Sequence, residues 1–115
     1  MNRLGCVLAV LLSSTAWADG APVDALQAAN RLLTALYGHN EVLRTRLSRV
    51  AGITHPYLNV GWIQGGSNTN VVPGKVVIKL DRRMIPEEDV AEVEAEVRQL
   101  ITDTVAGSPG VRVEI

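Results

Sequence analysis

Apolar residues recur at helical spacing in two stretches of the chain. The first follows Pro22, a residue tolerated in the first turn of a helix, and we expect this helix to reach at least Tyr37, pause at Gly38 and resume as far as Val50. The second is opened by Pro86, with acidic residues in the first turn, where the helix dipole favours them. The two apolar stripes consist of Ala25, Leu26, Ala29, Leu32, Leu33 and Leu36, and of Val90, Val93, Val97, Leu100 and Ile101.

Apolar and polar residues alternate in three other stretches, a pattern typical of strands with one buried face. These strands are predicted from Tyr57 to Gln64, from Val71 to Met84 and from Val111 to Ile115. In the second of them, the opposite face is polar and is expected to meet water, a ligand or another domain. The predicted inward side chains are Leu58, Val60 and Trp62, then Val76, Ile78 and Leu80, then Val111, Val113 and Ile115.

A glycine-rich turn joins the first two of these strands into a hairpin. Gly65 and Gly66 end the first strand, because glycine permits positive φ or the close approach of another backbone. We expect the hairpin to hold its polar residues out of the core. These residues are Gly65, Gly66, Asn68, Asn70, Asp81, Arg82 and Arg83.

The N-terminal residues 1–18 have the layout of a secretory signal. Arg3 precedes an apolar run from Leu4 to Leu12, and Ala16 and Ala18 then form a small-residue cleavage site before Asp19. The run is too short to span a bilayer, so no membrane segment is expected once the leader is removed. The alternative is that the same run is a buried strand. The domain itself is then predicted at residues 19–115.

The order of elements predicts an α+β fold of the ferredoxin-like type, a two-layer sandwich. An antiparallel sheet carries two helices on one face. If residues 5–12 form a strand, the sheet has four strands. If they are a removed leader, the first strand is missing and the sheet exposes an edge that favours pairing with a partner. The last strand runs to Ile115 without a cap, which indicates a truncated C-terminus.

Composition narrows the class of function. The net charge of −1 argues against a nucleic-acid-binding protein, which needs a basic excess. The single cysteine, Cys6, excludes an intrachain disulfide. His39 and His55 lie on different segments without ligand spacing, and no nucleophile motif occurs, so we predict neither a metal site nor catalytic residues. A binding or assembly module is the class that fits.

The hairpin holds the remaining candidates for chemistry. An Asn70 amide and an Arg83 guanidinium that converge beside Gly65–Gly66 would make a clamp for a carboxylate or a carbonyl. The residues have ordinary alternatives as well. Asn70 can be turn chemistry, bonding its own backbone, and Arg83 can be half of a surface ion pair with Asp81.

The stretch GGSNTNVVPGKVVIKLDRRMIPEED closely resembles the lid, or dimerisation, domain of a hydrolase family. This is the zinc metallopeptidase and amidohydrolase family of aminoacylase, carboxypeptidase G and succinyl-diaminopimelate desuccinylase. The shared pattern is a strand ending in Gly65–Gly66, then Asn70-Val71-Val72-Pro73, then Asp81-Arg82-Arg83 and a helix opened by Pro86. Upstream, GAPVDALQAANRLLTALYG is similar to the first lid helix, so the resemblance covers residues 20–115.

The resemblance implies a role in substrate binding. In the family, the lid holds the substrate carboxylate or scissile carbonyl over a two-zinc centre that belongs to a separate catalytic domain. The matching positions are Asn70 and Arg83, with Gly65 and Gly66. The family's lid histidine, which follows the first strand, has no counterpart here, and no zinc ligand is carried by this chain. The implied partners are the catalytic domain of a parent hydrolase and a second copy, bound through a sheet edge or a helix.

Three hypotheses follow from the sequence. The first is a lid and dimerisation domain of a metal-dependent hydrolase of C–N bonds, which is not catalytic alone. The second is an exported module that binds small carboxylates, and the third is a non-functional gene fragment. The hypotheses differ in the localisation that they imply. The leader-like start indicates a periplasmic or secreted protein, whereas the resemblance indicates a cytoplasmic one.

Overall fold

The computed structural model describes residues 5–15, 17–18 and 20–115 of the chain. Arg3, Leu4, Ala16 and Asp19, which belong to the leader-like pattern, lie outside these residues. Over the described ranges the elements are β1 Gly5–Ser14, β2 Trp17–Ala18, β3 Ala21–Pro22, α1 Ala25–Leu43, β4 Tyr57–Gly65, β5 Lys75–Arg83, α2 Val90–Ala106 and β6 Val111–Glu114.

The main sheet has four strands in the order β4-β5-β1-β6, and every neighbouring pair is antiparallel. Both helices pack on one face of this sheet and enclose a core of aliphatic side chains. The predicted α+β two-layer sandwich is therefore confirmed. A separate two-stranded ribbon pairs β2 with β3 just before α1 begins.

Strand β1 lies in the middle of the sheet, between β5 and β6. Its side chains Val10 and Leu12 are fully buried under the helices, whereas Val7 is 66% exposed on the other face. A strand that is apolar on both faces gives the unbroken apolar run that also suits a leader. When residues 5–14 are retained, they form the first strand of the complete four-stranded pattern. Among the described residues, no helix is long and apolar enough to cross a bilayer.

Helix α1 differs from its prediction at the C-terminal end. The helix passes Gly38 without a break and stops at Leu43, so the predicted pause and the extension to Val50 are wrong. Beyond it the chain forms a loop in which the Ser48 N–H donates to the Thr54 carbonyl over 2.8 Å. Leu47 is 71% exposed, because this loop does not continue the stripe that packs on the sheet.

Strand β4 contains a bulge that changes which side chains point inward. The pairing with β5 shifts between Val60 and Trp62, so that Gly61 is the extra residue. One extra residue reverses the alternation that follows it. Trp62 is consequently 42% exposed, with the Lys79 ammonium 4.6 Å from its ring centroid, and the prediction that it faces the core is wrong.

The boundaries around β5 also differ from the sequence pattern. The strand begins at Lys75 rather than Val71, and residues 71–74 belong to the hairpin loop. Helix α2 begins at Val90 with Asp89 as its N-cap, so Pro86 lies in the preceding turn. Both helices are capped by an aspartate. Asp24 accepts hydrogen bonds from the N–H groups of Leu26 and Gln27, and Asp89 accepts one from the N–H group of Glu92.

Candidate functional site

The two glycines that end β4 have separate structural reasons. A Cβ added to Gly65 would lie 2.6 Å from the Lys75 carbonyl oxygen, so only glycine fits where the two strands part. Gly66 has a φ of +93°, a backbone conformation that side chains with a Cβ rarely adopt. The pair therefore allows the chain to leave the ladder and form a loop over residues 66–74, which we call the hairpin loop.

Backbone contacts at its end hold the hairpin loop against the rest of the domain. The Pro73 carbonyl accepts a hydrogen bond of 2.9 Å from the Ala25 N–H at the start of α1. The Gly74 carbonyl accepts one of 3.0 Å from the Ser14 N–H at the end of β1. Asn70 is exposed in the middle of this loop. Asn70 lies within a turn that is closed by the Val71 N–H, which donates to the Asn68 carbonyl over 3.1 Å, and the Asn68 Oδ1 accepts from the Thr69 N–H.

Arg83 lies at the opposite end of the hairpin from this loop. In the register, Gly65 is opposite Val76 and Tyr57 is opposite Arg83. At about 3.3 Å per residue, Arg83 is about 23 Å along the strand from the position beside Gly65. Its Nε lies 3.1 Å from the Asp81 Oδ2 and forms an ion pair with it. The predicted convergence of Asn70 and Arg83 is therefore wrong within one chain, and Arg83 has the surface ion pair given as its alternative.

Arg82 shows the largest difference between prediction and structure, because the sequence pattern predicted that it lies outside the core. Strand alternation puts it on the same face as Val76, Ile78 and Leu80, and its side chain is 0% exposed. Its guanidinium binds both oxygens of Glu88, over 3.0 and 2.7 Å, and also donates to the Arg83 carbonyl. A buried arginine is tolerable only with such compensation.

The Arg82–Glu88 pair begins a chain of alternating charges that crosses the helical layer. Arg46, from the loop after α1, lies 3.6 Å from Glu88 and binds both oxygens of Glu96 over 2.9 and 2.8 Å. His39 of α1 ends the chain, with its Nε2 3.2 Å from Glu96. We call these five residues, Arg82, Glu88, Arg46, Glu96 and His39, the ion-pair chain.

The ion-pair chain shifts the pKa values of its carboxylates. Burial alone would raise the pKa of Glu88, but hydrogen bonds from Arg82 and the Ile85 N–H, with the charges of Arg82 and Arg46, lower it below its ordinary value. Hydrogen bonds from Arg46 lower the pKa of Glu96 against the effect of burial. The same contacts raise the pKa of Arg46. Each of the three groups is therefore held in its charged form.

The zinc ions implied by the resemblance do not fit the residues of this chain. His39 is engaged by Glu96, and the His55 Nδ1 lies 2.8 Å from the Pro56 carbonyl oxygen. In the part of the chain that the structure describes, no three residues of the types His, Cys, Asp and Glu come together as a metal site.

The two edges of the sheet differ in length and in exposed side chains. Strand β4 forms one edge over Tyr57–Gly65, with Trp62 42% exposed and Ile63 44% exposed. Strand β6 forms the other edge over Val111–Glu114 and exposes Arg112 and Glu114. A long edge with exposed apolar residues is a template for pairing, whereas charges on a short edge discourage it. The edge at β4 is the candidate interface.

Sequence comparison assigns most of the chain to one family. The profile of the M20 peptidase dimerisation domain matches residues 16–108. A comparison with curated proteins gave no match.

Solved structures have the same fold at low sequence identity. The aminobenzoyl-glutamate utilization protein of Klebsiella pneumoniae aligns with a TM-score of 0.70 and 22% identity over 97% of this chain and 27% of its own. The YXEP protein of Bacillus subtilis is described as a dinuclear metal binding peptidase from the M20 family. It aligns with a TM-score of 0.67 and 16% identity over 97% of this chain and 24% of its own. Human carnosine dipeptidase 1 aligns with a TM-score of 0.66 and 14% identity over 98% of this chain and 36% of its own.

This chain spans between about a quarter and about a third of the length of these structures. The shared part is the two-layer sandwich described above. With the family profile matched over residues 16–108, the chain belongs to the peptidase dimerisation domain family of the M20 metal-dependent peptidases and amidohydrolases.

Proposed function

We propose that this chain serves as the lid and dimerisation domain of a hydrolase of C–N bonds, and that it assembles through the β4 edge. The observation that carries the proposal is this edge. It exposes apolar side chains at the margin of a domain whose family is defined by dimerisation. The described residues hold no metal-ligand group, so two zinc ions, if used, belong to a catalytic domain.

The apolar surface of the edge continues onto α1. Leu26 and Leu33 of the helix line the same depression as Ile63 of the strand. Leu26 is 45% exposed and Ile63 is 44% exposed. A second copy related by a two-fold axis would pair β4 with its own counterpart and bury this apolar surface twice.

Sedimentation velocity tests the proposed interface. We expect a reversible dimer of the chain, with a dissociation constant that Ile63→Lys raises by about tenfold or more, since a buried lysine would be unpaired. Val7→Lys is the matched control, because Val7 is 66% exposed on the open face of central strand β1. A chain that stays monomeric, or an equal effect of the two lysines, would contradict the proposal.

The substrate residues expected from the resemblance divide between the two ends of the domain. Strand β1 begins at the Arg83 end of the sheet and β6 runs toward that end, so a catalytic domain joined to these strands would lie on that side. In a longer hydrolase, Arg83 would then lie near the catalytic domain of its own chain. Asn70, with Gly65 and Gly66, lies at the opposite end of the hairpin, and the proposal assigns these residues to the site of a second copy.

A further inference from the structure

The outer edge of β4 contains a short stretch that is bounded by a glycine on each side. Its sequence over residues 61–65 is Gly-Trp-Ile-Gln-Gly. Gly61 is the bulge residue, and Gly65 is the last residue of the strand before the hairpin loop. All five residues are exposed, and no strand of the described part of the chain pairs with the outer side of β4. We call residues 61–65 the edge segment.

The bulge places one large apolar side chain of the edge segment on each face of the sheet. Ile63 lies on the helix face, because it is opposite the buried Ile78. Trp62 lies on the open face, opposite Lys79. Ile63 is 44% exposed and Trp62 is 42% exposed. Apolar surface is therefore available on both sides of the same short edge.

Symmetry restricts how two copies of this edge can pair. Two identical strands that form an antiparallel pair are related by a two-fold axis perpendicular to the sheet. Residues that are directly opposite each other point to the same face of the sheet. The axis must therefore pass beside one residue that is opposite its own counterpart. The residue before this central position is then opposite the residue after it.

The edge segment is symmetric about Ile63. With Ile63 on the axis, Trp62 is opposite Gln64 of the second copy, and both of these side chains lie on the open face. Gly61 is then opposite Gly65 of the second copy at each end. A bulge disrupts a ladder, and a glycine has no side chain to pack, so the intermolecular pairing ends at both glycines.

The neighbouring registers are disfavoured by the backbone or by burial. An axis at Trp62 would extend the ladder across the bulge. An axis at Gln64 would place Trp62 opposite Gly66, which has a φ of +93° and lies beyond the end of the strand. An axis at Asn59 would use the first half of β4, where Leu58 on the helix face is already buried. Ile63 is the central residue that keeps the ladder regular and buries apolar surface on both faces.

We propose that two copies of the chain pair through the edge segment with Ile63 on the two-fold axis. Each Ile63 then contacts its counterpart, and the depression that it lines with Leu26 and Leu33 closes over the pair. On the open face, each Trp62 packs across the axis against the Gln64 of the second copy. The inference rests on the proposed function, because it states which residues of the second copy meet at the β4 edge.

Cysteine cross-linking of the whole chain with copper phenanthroline tests this register. Directly opposite residues of an antiparallel pair have Cα atoms about 4.5–5.5 Å apart, a distance that a disulfide bond spans. Ile63→Cys should therefore give a covalent dimer. Asn59→Cys is the matched control on the same exposed edge, because its two copies would be about 25 Å apart. We expect at least about tenfold more covalent dimer from Ile63→Cys. The parent chain controls for Cys6, which is buried.

A mixture of Trp62→Cys and Gln64→Cys tests the same register with Ile63 in place. The two variants should cross-link to each other. Each variant alone should cross-link much less, because its two copies are diagonal neighbours about 7–8 Å apart. Equal cross-linking of Ile63→Cys and Asn59→Cys, or no gain from mixing the other two variants, would overturn the register.

Sedimentation velocity of the parent chain separates this inference from the proposed function. A parent dimer whose Ile63→Cys variant does not cross-link contradicts the register and leaves the proposed dimerisation in place. A parent chain that stays monomeric contradicts both, and the β4 edge would then belong to a different partner.

Discussion

At the scale of single residues, Arg82 and Gly65 owe their identity to their surroundings. Arg82 is fully buried on the core face of β5 and is tied to Glu88, to the Arg83 carbonyl and, through Arg46, to α2. Gly65 lies where a methyl group would collide with a neighbouring carbonyl. In both cases a contact across the fold decides which residue is tolerated, so stability measurements on substitutions are direct tests.

Arg82→Met should lower the free energy of unfolding by about 3 kcal/mol, because it leaves the partly buried Glu88 without its main partner. Arg82→Met combined with Glu88→Leu should recover part of this loss, since no uncompensated charge then remains. Urea denaturation of the three chains measures both effects. A single variant as stable as the parent would show that the pair contributes nothing.

Acid should weaken the domain through the ion-pair chain. The pKa values of Glu88 and Glu96 are lowered in the folded protein. Their contribution is thus complete above the unfolded value of about 4.3 and is lost as the pH falls through the folded values. Urea denaturation between neutral pH and pH about 3 should show this decline, and Glu96→Gln should make it shallower. Glu94→Gln is the control, because Glu94 is a half-buried residue of α2 outside the ion-pair chain that pairs with Arg98. An equal effect would refute the assignment.

Gly65→Ala should destabilise the domain by about 1–3 kcal/mol, because the new Cβ has no room beside Lys75. Gly38→Ala is a matched control, since Gly38 lies within α1 with nothing within 4 Å of an added Cβ. The control should stabilise the chain by about 0.5–1 kcal/mol. Thermal unfolding followed by circular dichroism compares the two, and shifts of the same sign would contradict the prediction.

At the scale of elements, the hydrophobic pattern predicts which segments are helices and strands better than where they end. The predicted helices and the later strands exist, but α1 stops at Leu43 because the following loop is pinned elsewhere, with Ser48 and the Arg49 N–H bound to Glu87. The β4 bulge likewise turns the Trp62 side chain away from the core, because the pairing of β4 with β5 shifts between Val60 and Trp62. Ends and bulges depend on partners distant in sequence, which local periodicity does not contain.

Strand β1 gives the clearest test at this scale. A chain of residues 19–115 should fail to fold. The loss of β1 leaves β5 and β6 without a common neighbour and removes the buried side chains of Val10 and Leu12. Amide dispersion in an NMR spectrum and a cooperative thermal transition would measure this. A folded 19–115 chain would show that β1 is dispensable, as cleavage of a leader at Asp19 requires.

At the scale of the whole molecule, the sheet has one covered face, one open face and two unlike edges. Both helices lie on the same side, and the longer edge at β4 carries the exposed apolar residues. The hairpin loop and the Arg83 end are separated by the length of β5. A domain of this shape can contact a second copy at its edge while its two ends reach different partners, which is the basis of the proposed lid and dimer role.

Sequence patterns were sufficient for the α+β class, both helices, the three later strands and the family, because periodicity and the GG, NVVP and DRR motifs are local properties. They left open whether residues 5–12 form a strand. Long-range packing settles that Arg82 is buried and that Asn70 and Arg83 lie apart. Those relations join residues distant in the chain. Strand register and the packing of α1 and α2 bring them together, and no single stretch of sequence records either.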